Sequence, residues 1–267
     1  MTRLLSGALL LGLAIVVVWF APPLVFLAVA EALLVLGLIE YVSLAKASGL
    51  SVPAVPSGVA AMLTAAAFAG VASGRGAAWT PVDVVLMSAL VALGALSLPR
   101  WTGGRDALAG TAASLFPSLY LGLPVGAMIA IRETRGREAL FLLMLTVFVS
   151  DTAQYYSGRA FGKRPLASAI SPKKTVEGAI GGFVLGGLLL AVAGAWWLPS
   201  VPIVLRATLG VAVVALGIAG DLFESMLKRS AGVKDSSALI PGHGGVLDRI
   251  DALLFASPVY YIVLKYV

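Results

Sequence analysis

Long apolar runs separated by short polar segments recur along the whole sequence, and this pattern limits the possible folds more than any other feature. About 17–25 apolar residues in a row suffice for an α-helix to cross a lipid bilayer. Only 12% of the residues are charged, about half the fraction found in soluble domains. The sequence therefore predicts an all-α fold, a polytopic transmembrane helical bundle with about nine spans. The expected spans are residues 4–20, 24–45, 57–73, 81–98, 107–131, 139–157, 176–198, 202–224 and 250–266.

Lysine and arginine are distributed unevenly over the loops between these spans. Thirteen of the 19 fall on the side of the N-terminus and the other six on the opposite side. Because cytoplasmic loops carry an excess of Lys and Arg, the N-terminus is predicted to be cytoplasmic and the C-terminus to lie on the far side. We interpret the first run as a span rather than a signal peptide, since many similar runs follow. The chain has no cysteine, which excludes disulfides and thiolate chemistry.

Polar chemistry is concentrated in the second half of the chain. Residues 1–138 are predicted to form N-terminal membrane helices with few polar groups. Residues 139–267 read as catalytic membrane helices and cytoplasmic loops, because acids and bases crowd the ends of their apolar runs.

The densest polar segment runs from Gly220 to Asp251. Asp248 and Asp251 are three residues apart and share a face of the last span. Carboxylates at span ends are costly unless they are paired, hydrated or bound to a cation. If the start of the segment is helical, four side chains share one face: Asp221, Glu224, Ser225 and Lys228.

Basic side chains lie beside these acids, at Lys228, Arg229, Lys234 and Arg249. Mg²⁺ in proteins commonly uses one or two carboxylates together with phosphate oxygens and water. The mixture therefore favours a divalent ion that binds a polyphosphate. For any single residue, a salt bridge at a helix end is the alternative interpretation.

Two loops could bind anions. Residues 241–245 form a glycine-rich turn around His243, the only histidine, and glycines let backbone amides approach a phosphate closely. Lys173 and Lys174 precede an expected helix N-terminus, with Ser171 or Thr175 as its cap. A plain loop is the alternative for the turn.

Two features of the sixth and seventh spans also stand out. Asp151 interrupts an apolar run, which makes it a functional candidate. Gly178, Gly182 and Gly186 recur every four residues and predict close helix packing, either within one chain or between two.

The second half of the chain resembles the phosphatidate cytidylyltransferases, also called CDP-diglyceride synthases. Their signature reads S-x-x-K-R-x4-K-D and then P-x-H-G-G-x-x-D-R-x-D. Asp151-Thr152 and residues 171–178 are similar to two further blocks, whereas Gln154 departs from an expected small residue. The first half resembles the family in hydropathy alone. The chain matches every fixed signature position: Ser225, Lys228, Arg229, Lys234, Asp235, Pro241, His243, Gly244, Gly245, Asp248, Arg249 and Asp251.

The resemblance implies an enzyme that joins CTP to phosphatidic acid, making CDP-diacylglycerol and pyrophosphate. The resemblance further implies a homodimer that uses Mg²⁺, with a potassium ion as the candidate second ion. We expect the protein to lie in the inner cell membrane with its active site facing the cytoplasm. We expect no nucleic-acid partner. The positions that match the family imply that Asp221, Asp248 and Asp251 are the candidate metal ligands. Together with Lys228 they are the candidate catalytic residues. The candidate substrate-binding residues are Lys173, Lys174, Ser225, Arg229, Lys234, His243 and Arg249.

Two other functions remain open at this point. A CTP-dependent lipid-alcohol kinase needs the same metal–triphosphate site. A transporter for an anionic metabolite would place charges near mid-membrane, whereas most charges here lie at span ends and Arg206 is the main exception.

Overall fold

The computed structural model describes residues 2–69, 81–104, 106–240 and 244–267, and helices account for most of them. A π-helical segment, Ser118–Gly122, joins the helices Ala107–Pro117 and Leu123–Arg135, so that Ala107–Arg135 is one continuous helical segment. The helices are α1 Thr2–Phe20, α2 Pro23–Ala47, α3 Ala54–Ala66, α4 Val82–Ser97, α5 Ala107–Pro117, α6 Leu123–Arg135, α7 Arg137–Phe161, α8 Val176–Trp197, α9 Ile203–Ser230 and α10 Leu247–Lys265.

The all-α membrane fold is confirmed, but the count of nine spans is not. In the described part of the chain, six helical segments are long and apolar enough to cross a membrane. Helix α3 has only 13 residues, and part of the span expected at 57–73 lies outside the described residues. Helix α10 has 19 residues but carries three charged side chains in its first turns. The six segments are Pro23–Ala47, Val82–Arg100, Ala107–Arg135, Arg137–Phe161, Val176–Trp197 and Ile203–Ser230.

The second half of the chain forms a tightly packed group in which α8 lies against α7 and α9, and α9 lies against α10. The glycines of α8 make this packing possible. A Cβ on Gly182 would collide with Gln154 of α7, and one on Gly186 would collide with Val214 of α9. The predicted close packing therefore occurs within one chain.

A short antiparallel hairpin that the sequence did not predict links α7 to α8. Its strands are β1, Pro165–Ala167, and β2, Ser171–Thr175. The carboxylate of Glu177 accepts hydrogen bonds from the backbone amides of Lys163 (3.0 Å) and Arg164 (3.2 Å). Thr175 caps α8, as predicted for one of two residues, because its Oγ1 accepts from the amide of Gly178 at 3.1 Å. These bonds fix the hairpin against the start of α8.

Arginines hold the opposite end of the bundle together. Arg132 donates to the carbonyls of Val18 and Ala21, and Arg137 donates to the carbonyl of Trp19 at 2.9 Å. The end of α1 is thereby bound to the end of α6 and the start of α7. The hairpin, the end of α9 and the start of α10 lie at the other end.

Candidate active site

Lys228 of α9 lies between two carboxylates at one end of the bundle. It pairs with Glu224 one turn earlier on the same helix, and its Nζ is 2.5 Å from Oδ1 of Asp248 on α10. Helix α9 continues to Ser230, beyond the predicted end at residue 224, and this extension is what places Lys228 on the helix. The Glu224 side chain has no exposed surface, and those of Asp248 and Lys228 are 7% and 10% exposed. The trio is therefore a buried ionic group.

The hairpin supplies a second ion pair. Nζ of Lys174 on β2 is 2.5 Å from Oδ2 of Asp221 on α9. Close approach of β2 to α7 depends on Gly158 and Gly162, because a Cβ on either would collide with Thr175. Lys174 thus reaches the acids of α9 because the strand lies directly on glycines of α7.

A glycine also allows α9 and α10 to meet where their acids are. A Cβ on Gly220 would lie 2.5 Å from the backbone oxygen of Asp251, which no side chain could accommodate without separating the helices. Asp221 follows this glycine directly. Asp251 is consequently close enough to Asp221, Glu224 and Asp151 for their negative charges to interact.

The inner cluster carries more negative than positive charge. Five carboxylates face three cations, which leaves a formal charge of −2 when all are ionised (3 − 5 = −2). Like charges gathered in a partly buried site favour a bound cation. The donor set of carboxylate oxygens fits Mg²⁺, which prefers hard oxygen ligands. The members are Asp151, Asp221, Glu224, Asp248 and Asp251, with Lys174, Lys228 and Arg249.

The acids of the cluster do not form a complete metal-coordination site by themselves. Within the described residues, no group of three His, Cys, Asp or Glu side chains has the arrangement of a metal site. Two of the acids are instead paired with lysines: Asp221 with Lys174, and Asp248 with Lys228. Binding of a metal with a triphosphate needs only one or two protein carboxylates, the rest being phosphate oxygens and water.

Asp248 is the most heavily hydrogen-bonded acid of the cluster. Besides Lys228, its Oδ2 accepts from the amide of Gly245 (2.8 Å) and from the amide (3.0 Å) and hydroxyl (2.8 Å) of Ser236. Burial by itself would raise the pKa of Asp248, but these hydrogen bonds outweigh burial and hold that pKa below its usual value. Asp248 is thereby kept as a carboxylate in a fixed orientation.

The remaining predicted residues lie around the cluster. Ser225 donates to Asp221 at 3.4 Å. Arg229 is exposed and contacts the carbonyls of Ile170 and Val233, so it connects the hairpin to the loop after α9. His243, with Pro241 and Gly242, lies outside the described residues. The other exposed bases at this end are Lys173 and Lys234, and Arg249 of the inner cluster is exposed as well.

Glu40 of α2 belongs to the same region, although it was not among the residues predicted from the sequence. It is 3% exposed and accepts hydrogen bonds from Ser236 and from the start of α10. An acid inside the apolar run 24–45 is itself unusual, and that signal could have identified Glu40. Asp151 and Glu224, whose roles were left open, are both members of the inner cluster.

An apolar pocket adjoins the ionic cluster. It has a volume of about 320 Å³ and lies between α2, α5 and α9. Phe223 and Leu227, which line it, directly precede Glu224 and Lys228 along α9. Tyr41 and Phe116 line the side contributed by α2 and α5. A polar and an apolar site are therefore neighbours at one end of the bundle.

Together, these features define a polytopic membrane protein with a partly buried cluster of acidic and basic side chains at one end of its helices. The chain belongs to the cytidylyltransferase family, which matches residues 1–267. The family resemblance predicted from the signature is thereby confirmed.

Several proteins named phosphatidate cytidylyltransferase are similar to this chain. The one from Aquifex aeolicus is 40% identical over 149 residues, 56% of this chain and 54% of its own length. The one from Helicobacter pylori strain J99 is 34% identical over 186 residues, 70% of this chain and 66% of its own length. The one from Haemophilus influenzae is 48% identical over 130 residues, 46% of this chain and 45% of its own length. The matched part of the chain thus spans about half to two thirds of the length of these curated relatives.

Proposed function

We propose that this protein is a phosphatidate cytidylyltransferase, which transfers the cytidylyl group of CTP to the phosphate of phosphatidic acid and releases pyrophosphate. One observation carries the proposal: two lysines from separate elements, Lys174 and Lys228, lie in one cluster of partly buried carboxylates. The relatives that bear this name, at 34–48% identity, support it. The lipid product is CDP-diacylglycerol.

The chemistry requires two anions to react with each other. An oxygen of the lipid phosphate forms a bond to the α-phosphorus of CTP. The bond from that phosphorus to the oxygen bridging to the β-phosphate breaks, and pyrophosphate leaves with the electron pair. The lipid phosphate is already a nucleophile, so the main barriers are charge repulsion and alignment rather than proton removal.

The basic residues would reduce that repulsion. Lys174 and Lys228 are held by acids, which fixes their ammonium groups in the site. Exposed bases around them would bind the triphosphate tail, which enters from water, and the phosphate of the lipid at the membrane surface. These bases are Lys173, Arg229, Lys234 and Arg249, and we assign His243 and Ser225 to the same task.

We propose that Asp221, Asp248 and Asp251 hold Mg²⁺, and that Asp151 and Glu224 add negative charge around it. The surplus charge of the inner cluster supports this assignment. When bound, Mg²⁺ supplies charge neutralisation of the triphosphate and of the departing pyrophosphate. A potassium ion is a candidate for a second cation site in the same cluster.

The surroundings of the cluster suit a lipid substrate. The apolar pocket lined by Phe223 and Leu227 would accept the hydrophobic part of phosphatidic acid while its phosphate reaches Lys228. CTP would enter from water at the end of the bundle. We propose that this end faces the cytoplasm of a cell whose inner membrane holds the protein as a homodimer.

The proposed orientation predicts the outcome of single-cysteine labelling, for which a cysteine-free chain is well suited. Ser168, an exposed residue of the hairpin, should react from the cytoplasmic side when replaced by cysteine. Thr134 and Ser200, exposed at the other end, should react only from the opposite side. The measurement uses a membrane-impermeant maleimide on intact and on inverted vesicles. Labelling of positions 168 and 200 from one side would show that α8 does not cross the membrane.

The reaction itself is tested with CTP labelled at defined phosphates. A cytidylyltransferase attacks the α-phosphorus, so label from that position should enter the lipid and γ-label should appear in pyrophosphate. A CTP-dependent lipid-alcohol kinase would instead transfer the γ-label and leave the α-label in CDP. The assay uses purified protein, Mg²⁺ and phosphatidic acid, with diacylglycerol as the matched substrate that lacks the phosphate.

The expected result is lipid labelled from the α position with phosphatidic acid and no labelled lipid with diacylglycerol. Lipid labelled from the γ position alone would overturn the assignment while leaving the triphosphate site intact. Movement of labelled CTP across the membrane of vesicles that contain the protein, without any labelled lipid, would instead indicate a transporter.

A further inference from the structure

The carboxylate of Glu40 is the centre of a buried hydrogen-bond group that joins α2 to the loop before α10. One oxygen accepts from the hydroxyl of Ser237 (2.7 Å) and the amide of Val246 (2.9 Å). The other accepts from the hydroxyl of Ser236 (2.9 Å) and the amide of Leu247 (2.8 Å). All four donors are 196 to 207 residues away in the chain.

The position of this carboxylate matches the electrostatics of a helix start. Helix α10 begins at Leu247, and Glu40 binds two amides that have no partner within the helix. A negative charge at a helix N-terminus is favoured by the helix dipole. Gly245 leaves the necessary space, since a Cβ there would collide with both Glu40 and Ser236. Glu40 thus acts as a capping anion contributed by a distant helix.

Ser236 connects Glu40 to the ionic cluster. Its hydroxyl oxygen lies between Oε2 of Glu40 (2.9 Å) and Oδ2 of Asp248 (2.8 Å), and its amide also donates to Asp248. A serine hydroxyl has one proton, so it donates to one of the two carboxylates at a time or is shared between them. Any displacement of the loop from Glu40 therefore changes the surroundings of Asp248.

We propose that Glu40 is a positioning residue for the proposed reaction: it holds the loop 236–237 and the first turn of α10 so that Asp248 faces Lys228 and the metal–triphosphate site. This inference rests on the proposed function for its kinetic consequence. Its structural consequence, an ordered loop and helix start, is independent of which reaction the site performs.

The test compares Glu40→Gln with Glu31→Gln on the same helix. Glutamine keeps the size of the side chain and one acceptor oxygen, but its NH₂ group cannot accept hydrogen bonds, so two of the four donors lose their acceptor. Glu31 is a matched control, because neither of its carboxylate oxygens has a hydrogen-bond partner among the described residues. Hydrogen–deuterium exchange of peptides covering residues 236–248 reports the positioning without any turnover.

We expect the amides of residues 236–248 to exchange faster in Glu40→Gln than in the wild type. In Glu31→Gln their exchange rate should equal that of the wild type. Loss of a residue that orients a metal-site ligand commonly lowers metal affinity or activity about 10–100-fold. The Mg²⁺ concentration for half-maximal binding of a non-hydrolysable CTP analogue should rise in that range. kcat should fall while KM for phosphatidic acid stays near wild type.

Wild-type exchange and wild-type Mg²⁺ dependence in Glu40→Gln would overturn the proposal. If Glu40→Gln does not accumulate as folded protein, Ser237→Ala replaces it, since that hydroxyl donates to Glu40. A smaller change in the same two readouts is then expected, and none would overturn the proposal. Faster exchange without α-label transfer by the wild type would refute the proposed reaction and leave the positioning role standing.

Discussion

Replacement of Asp251 by asparagine should lower turnover by about 10²-fold or more while the protein stays folded and membrane-inserted. Asp251 interacts with the negative charges of Asp221, Glu224 and Asp151. Asparagine keeps the shape but removes one carboxylate from the proposed Mg²⁺ site. The measurement is transfer of α-label from CTP to lipid over a range of Mg²⁺ concentrations. Asp221→Asn and Asp248→Asn should lower turnover to a similar extent.

The change in melting temperature distinguishes a metal-site role of Asp251 from a structural role, because loss of a structural residue would lower that temperature. Because Asp251 is surrounded by like charges, Asp251→Asn should melt at the same or a slightly higher temperature than wild type without Mg²⁺. Raised Mg²⁺ should restore part of the activity. Asp83→Asn, an exposed acid in the first turn of α4, is the matched control. Near-normal turnover at ordinary Mg²⁺ would remove Asp251 from the metal site.

Replacement of Lys228 by methionine should destabilise the fold by about 3–5 kcal/mol, because it leaves buried acids without their partner. Glu224 has no exposed surface and Asp248 is 7% exposed, so water cannot take the place of the ammonium group. The measurement is thermal or denaturant unfolding in detergent. The exposed Lys46 of α2 provides the control variant, Lys46→Met, with an expected change below about 0.5 kcal/mol.

A double replacement distinguishes the ionic from the chemical role of Lys228. Glu224→Gln added to Lys228→Met removes one of the two unpaired charges and should recover part of the lost stability. Activity should not return, because the proposed contact with the triphosphate is still missing. Wild-type stability of Lys228→Met alone would contradict the geometry of the buried trio.

The membrane class and the residues of the ionic cluster were predictable from the sequence. Span length is set by bilayer thickness, so hydropathy identifies α2, α7, α8 and α9, with errors of at most six residues at their ends. Asp221, Glu224 and Lys228 share a helix face because their spacing is 3 and 4 residues, and the fold preserves that face. The signature pointed to the family because it is local in sequence.

The number of spans was not predictable in the same way. Helix α3 is short, and α10 mixes an apolar body with Asp248, Arg249 and Asp251 in its first turns. Hydropathy averages such a segment and cannot tell whether its polar end lies in water or is paired inside the protein. The structure shows the second arrangement for Asp248.

The sequence by itself determined that this chain is a helical membrane protein with acids and bases at one end of its spans. Only the tertiary structure decided which of them meet. The pair Lys174–Asp221 depends on a hairpin lying against the glycines of α7, and the approach of α9 to α10 depends on Gly220. Glu40 reaches α10 across 206 and 207 residues of chain. Periodicity carries information over a few turns of helix, whereas these contacts arise from packing between elements that local patterns do not encode.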